Sequence, residues 1–148
     1  MKDSDCPLFK SCGKYAHWLL RLSFAAVFIY HGFGKLQNLA GFAEMAQLSM
    51  LVATLVALAE FLGGLAVLLG GMCKSKGGML TKLGGLAVAP VMLGAIFMVH
   101  WGQWSMMPTE THPMGGIEFQ VVLLSIALYF AVMGNQGAGC GCACKRKK

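Results

Sequence analysis

The sequence predicts an all-α integral membrane protein, a four-helix bundle with both termini in the cytoplasm. The first observation is composition: 57% of the 148 residues are apolar and only 12% are charged, about half the charged fraction of soluble proteins. The second is the presence of four long apolar stretches, and the third is the grouping of basic residues outside them. A soluble helical bundle is disfavoured because its helices would show a polar stripe about every 3.6 residues.

The four apolar stretches define the predicted elements in order. Each approaches the roughly 20 residues that a helix needs to cross a bilayer core of about 30 Å. The second contains one ionisable side chain, Glu60, and the third contains Pro90, which we expect to kink its helix. The predicted spans are residues 18–34, 48–71, 83–101 and 117–134, with a polar tail at 1–17 and a basic, cysteine-rich tail at 135–148.

The basic residues indicate which side of the membrane each predicted loop occupies. Four spans place all of the 12 lysines and arginines except Lys35 on one side, and an excess of such residues marks the cytoplasmic side. Both tails and the loop GMCKSKGG, which contains Cys73, are then cytoplasmic. The net charge of +6 is explained by this topology and by contact with the lipid bilayer, so nucleic acid is not expected as a partner.

Two outer loops follow from the same topology. The first covers residues 35–47, and the second has the sequence GQWSMMPTETHPMGG at residues 102–116. The second loop contains two prolines and ends in two glycines, a composition typical of turns and loops. It is the better candidate for a mobile lid on the outer face.

All four predicted spans contribute an ionisable side chain to the outer half of the bundle. His31 and Lys35 are one helical turn apart on the first span, and His100 and Glu118 fall at a similar depth on the third and fourth. Glu60 lies roughly 18 Å along the second span, where an unpaired carboxylate costs about 3 kcal/mol. The simplest arrangement is a polar pocket open to the outer face, with Glu60 as its floor.

Each of these side chains also has a simpler interpretation. His31, Lys35, His100 and Glu118 are near enough to the membrane surface to extend into water. Glu60 is too deep to do so, but a protonated carboxyl hydrogen-bonded to a backbone carbonyl would satisfy it without a pocket. A haem held between His31 and His100 is a further option in a helical bundle. All of these interpretations fit the sequence.

The cysteines lie on the predicted cytoplasmic side, where thiols are kept reduced, so structural disulfides are not expected. Cys140, Cys142 and Cys144 form a C-x-C-x-C run beside four basic residues, which favour the thiolate form. Three alternating thiolates suit a soft metal such as copper or zinc, and Cys6 and Cys12 are weaker candidates for the same site. The alternative is an accessory tail whose thiols have no role.

A second candidate metal site lies in the second outer loop. Thioether and imidazole groups of the kind that bind copper come from Met106, Met107, His112 and Met114. Methionine is also a common apolar filler, and the chain has 11 of them. The pattern is therefore weaker evidence for a metal than the cysteine run.

Several segments resemble the DoxX family. They are HGFGKL at the end of the first span, GFAEMA after it, ALAEFLGG in the second, AIFMVH at the end of the third and GGIEFQVVLL at the start of the fourth. The resemblance covers about residues 15–135 and implies a small four-helix protein of the bacterial inner membrane. The cysteine-bearing tails depart from the family pattern. The family's motif positions correspond here to His31, Gly32, Lys35, Glu60, His100 and Glu118.

The resemblance also implies redox work. One branch of the family resembles the membrane subunit of a thiosulfate:quinone oxidoreductase, and another is associated with complexes that connect thiol balance with oxidative-stress defence. The leading hypothesis is thus a membrane subunit of a quinone- or sulfur/thiol-linked oxidoreductase. His31, Glu60, His100 and Glu118 would exchange protons, and Lys35 would stabilise an anionic oxygen. No cofactor motif is recognisable, so a partner redox subunit or a homo-oligomer is expected.

Two other hypotheses come from different classes of protein. A membrane protein that handles copper or zinc would use the outer methionines and histidine and the inner cysteines, and would need to be an oligomer. A non-catalytic scaffold would instead dock cytoplasmic enzymes through its tails. The redox hypothesis rests on the resemblance, whereas the metal hypothesis rests on residues particular to this chain.

Overall fold

A computed structural model gives the fold and describes residues 15–73 and 77–136. These ranges are all-helical, as predicted, with five α-helices, one π-helical turn and no strand. The α-helices are α1 (Ala16–Gln37), α2 (Leu39–Met45), α3 (Met50–Met72), α4 (Gly77–Gly94) and α5 (Glu118–Met133), and the π-helical turn is Ala95–Val99. The predicted metal ligands Cys6, Cys12, Cys140, Cys142 and Cys144 lie outside the described residues.

Polar side chains at the helix ends explain where several helices begin. The side chain of Asn38 accepts a hydrogen bond of 3.1 Å from the Gly41 N–H, which caps α2 within the region predicted as the first outer loop. Ser49 accepts 3.3 Å from the Val52 N–H and caps α3 in the same way. Such caps satisfy amide groups that have no partner within the first turn of a helix.

The long helices pack in chain order around a small aromatic core. Helix α3 packs against both α1 and α4, and α4 packs against α5. The ring of Phe24 on α1 lies 4.5 Å from that of Phe28 and 5.5 Å from that of Phe130 on α5, so α1 and α5 also meet. We call the end where α1 begins and α5 ends the basal end, and the opposite end, with α2, the apical end.

Glycines allow the backbones of neighbouring helices to touch. A Cβ atom on Gly84 of α4 would lie 2.7 Å from the Gly63 carbonyl oxygen of α3, and one on Gly85 would lie 2.5 Å from the Ala127 carbonyl oxygen of α5. Both distances are too short for a real Cβ contact. The α3–α4 and α4–α5 contacts therefore depend on small residues, as is common between helices in membranes.

A single arginine joins all four long helices at the basal end. Arg21 of α1 is only 1% exposed. Its Nη1 donates to the Val67 carbonyl oxygen of α3 and, over 2.9 Å, to Thr81 Oγ1 of α4. Its Nη2 donates over 2.6 Å to Asn135 Oδ1, just after α5, and over 3.3 Å to the Gly134 carbonyl oxygen.

The remaining N–H of this guanidinium group is also used. Arg21 Nε donates to His17 Nδ1 over 3.2 Å, so all five of its N–H groups have an acceptor. Asn135 reinforces the cluster by accepting from Thr81 Oγ1 over 2.8 Å and by donating from Nδ2 to the Gly70 carbonyl oxygen over 2.8 Å. Every acceptor of Arg21 is uncharged, and the sequence analysis had counted this residue only as a basic flank of the first span.

Two of the described helical segments, Met50–Met72 and Gly77–Val99, are long and apolar enough to cross a membrane. The second runs through Pro90 and the π-helical turn without leaving helical conformation, and it starts before the apolar stretch predicted from residue 83. Helix α5 is apolar but has only 16 residues, while α1 includes charged side chains within its 22 residues.

Replacing Arg21 by leucine should destabilise the protein by about 3 kcal/mol, because several buried acceptors on three other helices lose their donor. Thermal unfolding of the protein purified in a mild detergent measures this loss. Lysine at the same position should recover only part of it, since three donors on a flexible stem replace five on a planar group.

Ser23 provides the matched control on the same helix. It is exposed, and its hydroxyl bonds the Leu19 carbonyl within α1, so Ser23→Ala should change stability by less than about 0.5 kcal/mol. Equal stability of the Arg21→Leu and Ser23→Ala proteins would contradict the role assigned to Arg21.

Candidate functional site

A cavity of about 960 Å³ opens in the apical half of the molecule. All five α-helices and the π-helical turn contribute to its wall, which is mainly apolar. Met114 of the following loop also reaches it. The polar side chains that line the cavity are Tyr30, His31, Lys35, Gln37, Asn38, Glu60, His100 and Gln120. Of the five side chains predicted to share a pocket, His31, Lys35, Glu60 and His100 line this cavity.

One wall of the cavity holds an ion pair between α1 and α3. Glu60 is 2% exposed, and the Lys35 side chain is 23% exposed. Lys35 Nζ donates to both carboxylate oxygens of Glu60, each over 2.5 Å, and it lies 5.0 Å from the ring centroid of Phe42 on α2. The pair gives Glu60 the partner that its depth requires and leaves this part of the cavity without net charge.

Gly32 explains how α1 comes close enough to α3 for this pair to form. A Cβ atom on Gly32 would lie 2.9 Å from the Cα of Phe61, so the two backbones touch beside the ion pair. Lys35 comes three residues after Gly32 on α1, and Glu60 comes directly before Phe61 on α3. Of the positions singled out by the family resemblance, Gly32 thus has a packing role.

His31 lies on the same face of α1 as Lys35, one turn closer to the basal end. Its side chain is exposed and borders the cavity. The ring packs edge-on against that of Tyr30, with 5.5 Å between their centroids. His31 is therefore available to a ligand, but it is not joined to the Lys35–Glu60 pair.

His100 stands at the opposite wall, directly after the π-helical turn, and is 9% exposed. Its Nδ1 lies 3.0 Å from the Gly115 carbonyl oxygen, and its Nε2 lies 3.0 Å from Gln120 Nε2 of α5. A carbonyl oxygen only accepts, so Nδ1 carries a proton and donates to it. Both ring nitrogens of His100 are thus engaged within the protein, which disfavours its use as a haem ligand in this arrangement.

Glu118 differs from the other predicted pocket residues because it does not line the cavity. It is half-buried at the start of α5, and its Oε2 accepts from the Met106 N–H over 3.2 Å. Its own N–H bonds the Trp104 carbonyl oxygen over 3.0 Å. Glu118 therefore fastens the second outer loop to the start of α5.

The second outer loop is held by further hydrogen bonds of its own. Gln103 Nε2 donates to the carbonyl oxygens of Ser105 and Met107 over 2.8 and 2.6 Å. His112 places Nε2 at 3.1 Å from the Trp101 carbonyl oxygen and Nδ1 at 3.1 Å from Thr111 Oγ1. These hydrogen bonds give the loop a defined conformation, and the mobile lid expected from its composition stays a prediction.

The predicted outer copper ligands are either exposed or already hydrogen-bonded. Both ring nitrogens of His112 are engaged, while Met106, Met107 and Met114 are all more than half exposed. Residues 15–73 and 77–136 also contain no group of three or more His, Cys, Asp or Glu side chains able to hold a metal ion.

Comparison with known protein families identifies the family of this chain. A sequence model of the DoxX family matches residues 16–101, more than half of the 148-residue chain. The chain belongs to the DoxX family. The matched range of this DoxX-family protein contains His31, Lys35, Glu60 and His100 but ends before α5. No curated protein and no solved structure shows a significant match.

Two polar residues of the structure were missed by sequence reasoning. Gln120 binds His100 at the cavity wall, and Asn135 binds Arg21 at the basal end. Gln120 lies within the fourth apolar stretch, and Asn135 follows directly after it. Since polar groups in apolar helices need partners, their position in or beside an apolar stretch is the observation that could have identified them.

A double substitution should separate the interaction between Lys35 and Glu60 from the contribution that each side chain makes alone. Lys35→Met alone leaves Glu60 buried without its partner and should cost about 3 kcal/mol. Glu60→Gln added to Lys35→Met should recover at least about 1 kcal/mol, because no buried charge then remains. Unfolding in detergent measures each variant. Additive losses would show that the two side chains do not interact.

Proposed function

We propose that this DoxX-family protein is the membrane subunit of a quinone-linked redox system and that the apical cavity binds the quinone. The observation that carries the proposal is the cavity itself, a mainly apolar chamber with a Lys35–Glu60 ion pair at one wall and a hydrogen-bonded imidazole at another. Its volume of about 960 Å³ is at the upper end of the usual range for small-molecule sites. A ring with an apolar tail fits that combination of size and chemistry.

The charge distribution favours a neutral ligand over a small sulfur oxyanion. Lys35 is the cation that would attract an anion, but both oxygens of Glu60 already bind its ammonium group. The ring nitrogens of His100 are both engaged within the protein, by Gly115 and by Gln120. An anion would have to break the Lys35–Glu60 pair, whereas a quinone would leave it intact.

The same residues suit proton exchange at a quinone. Reduction of a quinone to a quinol adds two electrons and two protons, and His31, His100 and the Lys35–Glu60 pair could supply or accept protons at the cavity wall. The electrons would come from a partner redox subunit. In this proposal Glu118 acts on the outer loop and does not take part in proton exchange.

The proposed topology has α1, α3, α4 and α5 crossing the bacterial inner membrane, with both tails on the cytoplasmic side. The charged side chains of α1 are compatible with its place among the spanning helices, because Arg21 is fully hydrogen-bonded inside the protein and Lys35 is paired with Glu60. Helix α1 also exposes large apolar side chains, including Leu19 and Tyr30 at 72% and 77%. The basal end would face the cytoplasm, in line with the positive-inside rule.

Quinone binding tests the proposal directly. We expect a short-chain 1,4-naphthoquinone to quench the fluorescence of Trp101 and Trp104 with a measurable Kd in a mild detergent. Leu123 of α5 lines the cavity and is 7% exposed, so Leu123→Phe should narrow the site and weaken binding about tenfold, or about 1.4 kcal/mol.

The control for that substitution lies on the outer face of the same helix. Leu128 is 48% exposed, and Leu128→Phe adds the same atoms outside the cavity, so it should leave the Kd unchanged. Absence of naphthoquinone binding, or equal Kd values for the two variants, would refute the proposal.

Metal handling is the second candidate function, and the position of Cys73 favours it. Cys73 is exposed at the end of α3. A Cβ atom on Gly77 would lie 3.2 Å from Cys73 Cβ and 2.8 Å from Asn135 Nδ2, so Cys73 and Asn135 share one small region at the basal end. The chain continues from Asn135 toward Cys140, Cys142 and Cys144 five to nine residues later, within reach of Cys73.

Elemental analysis distinguishes this second candidate. The metal hypothesis predicts about one copper or zinc per chain after mild purification, and loss of the metal when Cys140, Cys142 and Cys144 are replaced by serine. The control replaces three methionines, Met45, Met50 and Met72, by leucine, which removes the same number of sulfur atoms from other positions. Metal-free protein in all cases would leave this hypothesis without support.

A further inference from the structure

Two glycines that line the apical cavity have no packing reason to be glycine. A Cβ atom on Gly32, Gly63 or Gly84 would lie 2.5, 2.7 or 2.7 Å from an atom of the neighbouring helix. A Cβ atom on Gly34 of α1 or Gly94 of α4 would have no neighbouring helix within 4 Å. Both of these residues line the cavity. Contact between helices therefore requires glycine at the first three positions but not at the last two.

Backbone conformation does not require glycine at these two positions either. Among the described residues, the glycines with a positive φ are Gly102, Gly115 and Gly134. Gly94 has a φ of −58° and a ψ of −45°, which are ordinary α-helical values. Alanine adopts the same conformation and is the better helix former. Gly34 and Gly94 thus weaken their helices without allowing a closer contact inside the protein.

Gly34 lies on the side of α1 that faces the cavity. His31 comes three residues before it and Asn38 four residues after it, and both line the cavity. Residues three and four apart share one face of an α-helix, so the bare backbone at Gly34 borders the cavity between these two side chains. Lys35, which is paired with Glu60, follows directly. Gly34 therefore leaves a gap among the polar side chains of α1.

Gly94 leaves a similar gap in an apolar part of the wall. It is half-buried and directly precedes the π-helical turn. Pro90 and Val91 come four and three residues before it, and both line the cavity, so Gly94 shares their face of α4. A methyl group at Gly34 or Gly94 would thus occupy space that borders the cavity and that no neighbouring helix fills.

We propose that the ring of the ligand lies against the bare backbone at Gly34 and Gly94, and that these two glycines limit the size of ring system that the cavity accepts. A helix without a Cβ atom allows a flat ring to approach its backbone closely. A fused two-ring quinone uses the space at both glycines, whereas a one-ring quinone leaves part of it empty. This inference rests on the proposed function and adds the size class of the ring.

Two quinones that differ in ring number test this inference. They are 2,3-dimethyl-1,4-naphthoquinone and tetramethyl-1,4-benzoquinone, whose methyl groups block addition of thiols to the quinone ring. Kd values are measured by quenching of tryptophan fluorescence in the full chain in a mild detergent, with partition into detergent alone subtracted. We expect Gly34→Ala and Gly94→Ala each to weaken naphthoquinone binding about tenfold, the lower end of what one added carbon changes in an apolar pocket. The Kd of the benzoquinone should change by less than about twofold.

Thermal unfolding separates a loss of binding from a loss of folding. Both alanine variants should unfold at the same temperature as the unmodified protein or at a higher one, because no helix is displaced and alanine favours the helix. Gly32→Ala on the same helix as Gly34 should unfold at a lower temperature, since its Cβ would lie 2.9 Å from the Cα of Phe61. A lower unfolding temperature for Gly34→Ala and Gly94→Ala would overturn the inference, because packing would then require both glycines.

Gly78→Ala is the matched control for binding. Gly78 lies on α4 but does not line the cavity, and its Cβ would come no closer than 3.9 Å to the atoms around it. Its substitution should therefore leave both Kd values unchanged.

The remaining outcomes distinguish this inference from the proposed function. Unchanged Kd values in Gly34→Ala and Gly94→Ala, or equal changes for the two quinones, would overturn the inference. The proposed function would still stand in that case if Leu123→Phe weakens binding. Absence of binding of either quinone to the unmodified protein would overturn the proposed function and this inference with it.

Discussion

One buried guanidinium group, whose N–H groups are all hydrogen-bonded, determines how the long helices meet. Arg21 places a permanent positive charge where no carboxylate of the described residues reaches it, and its five N–H groups are met by five uncharged acceptors. An arrangement of that kind is favourable only if all the acceptors are present together. It therefore holds the basal ends of α1, α3, α4 and α5 in one geometry. Their apical halves carry no comparable cross-link between α1 and α5, and that is where the cavity lies.

Charge within α1 is compatible with an apolar environment because each cation is satisfied internally. Arg21 meets backbone and side-chain oxygens at one end, and Lys35 meets Glu60 near the other. Hydropathy averaged over a sequence counts both residues as polar, whether or not their charged groups have partners. By composition alone, α3 and the segment from α4 through the π-helical turn are apolar enough to span a membrane. The two cations of α1 are instead accommodated through tertiary contacts.

Sequence reasoning predicted what depends on local composition and spacing, and it failed where long-range contacts decide. The helical class, the family and the need of Glu60 for a partner follow from apolar length, motif order and depth. The partner itself, Lys35, could not be chosen from four candidates because the choice depends on where Gly32 lets two backbones touch. Helix α2 was missed for a different reason: its cap at Asn38 is a weak local feature in a segment too short to show periodicity.

The outer loop and the cavity are linked through one glycine. Gly115 has a φ of +73°, a conformation that side chains with a Cβ rarely adopt, and its carbonyl oxygen is the acceptor for His100 Nδ1. The backbone at that position thereby fixes one ring nitrogen of His100 as a hydrogen-bond donor, and the other ring nitrogen lies 3.0 Å from the Gln120 amide of α5. Since His100 and Gln120 both line the cavity, the conformation of this loop helps to set which polar side chains stand at the cavity wall.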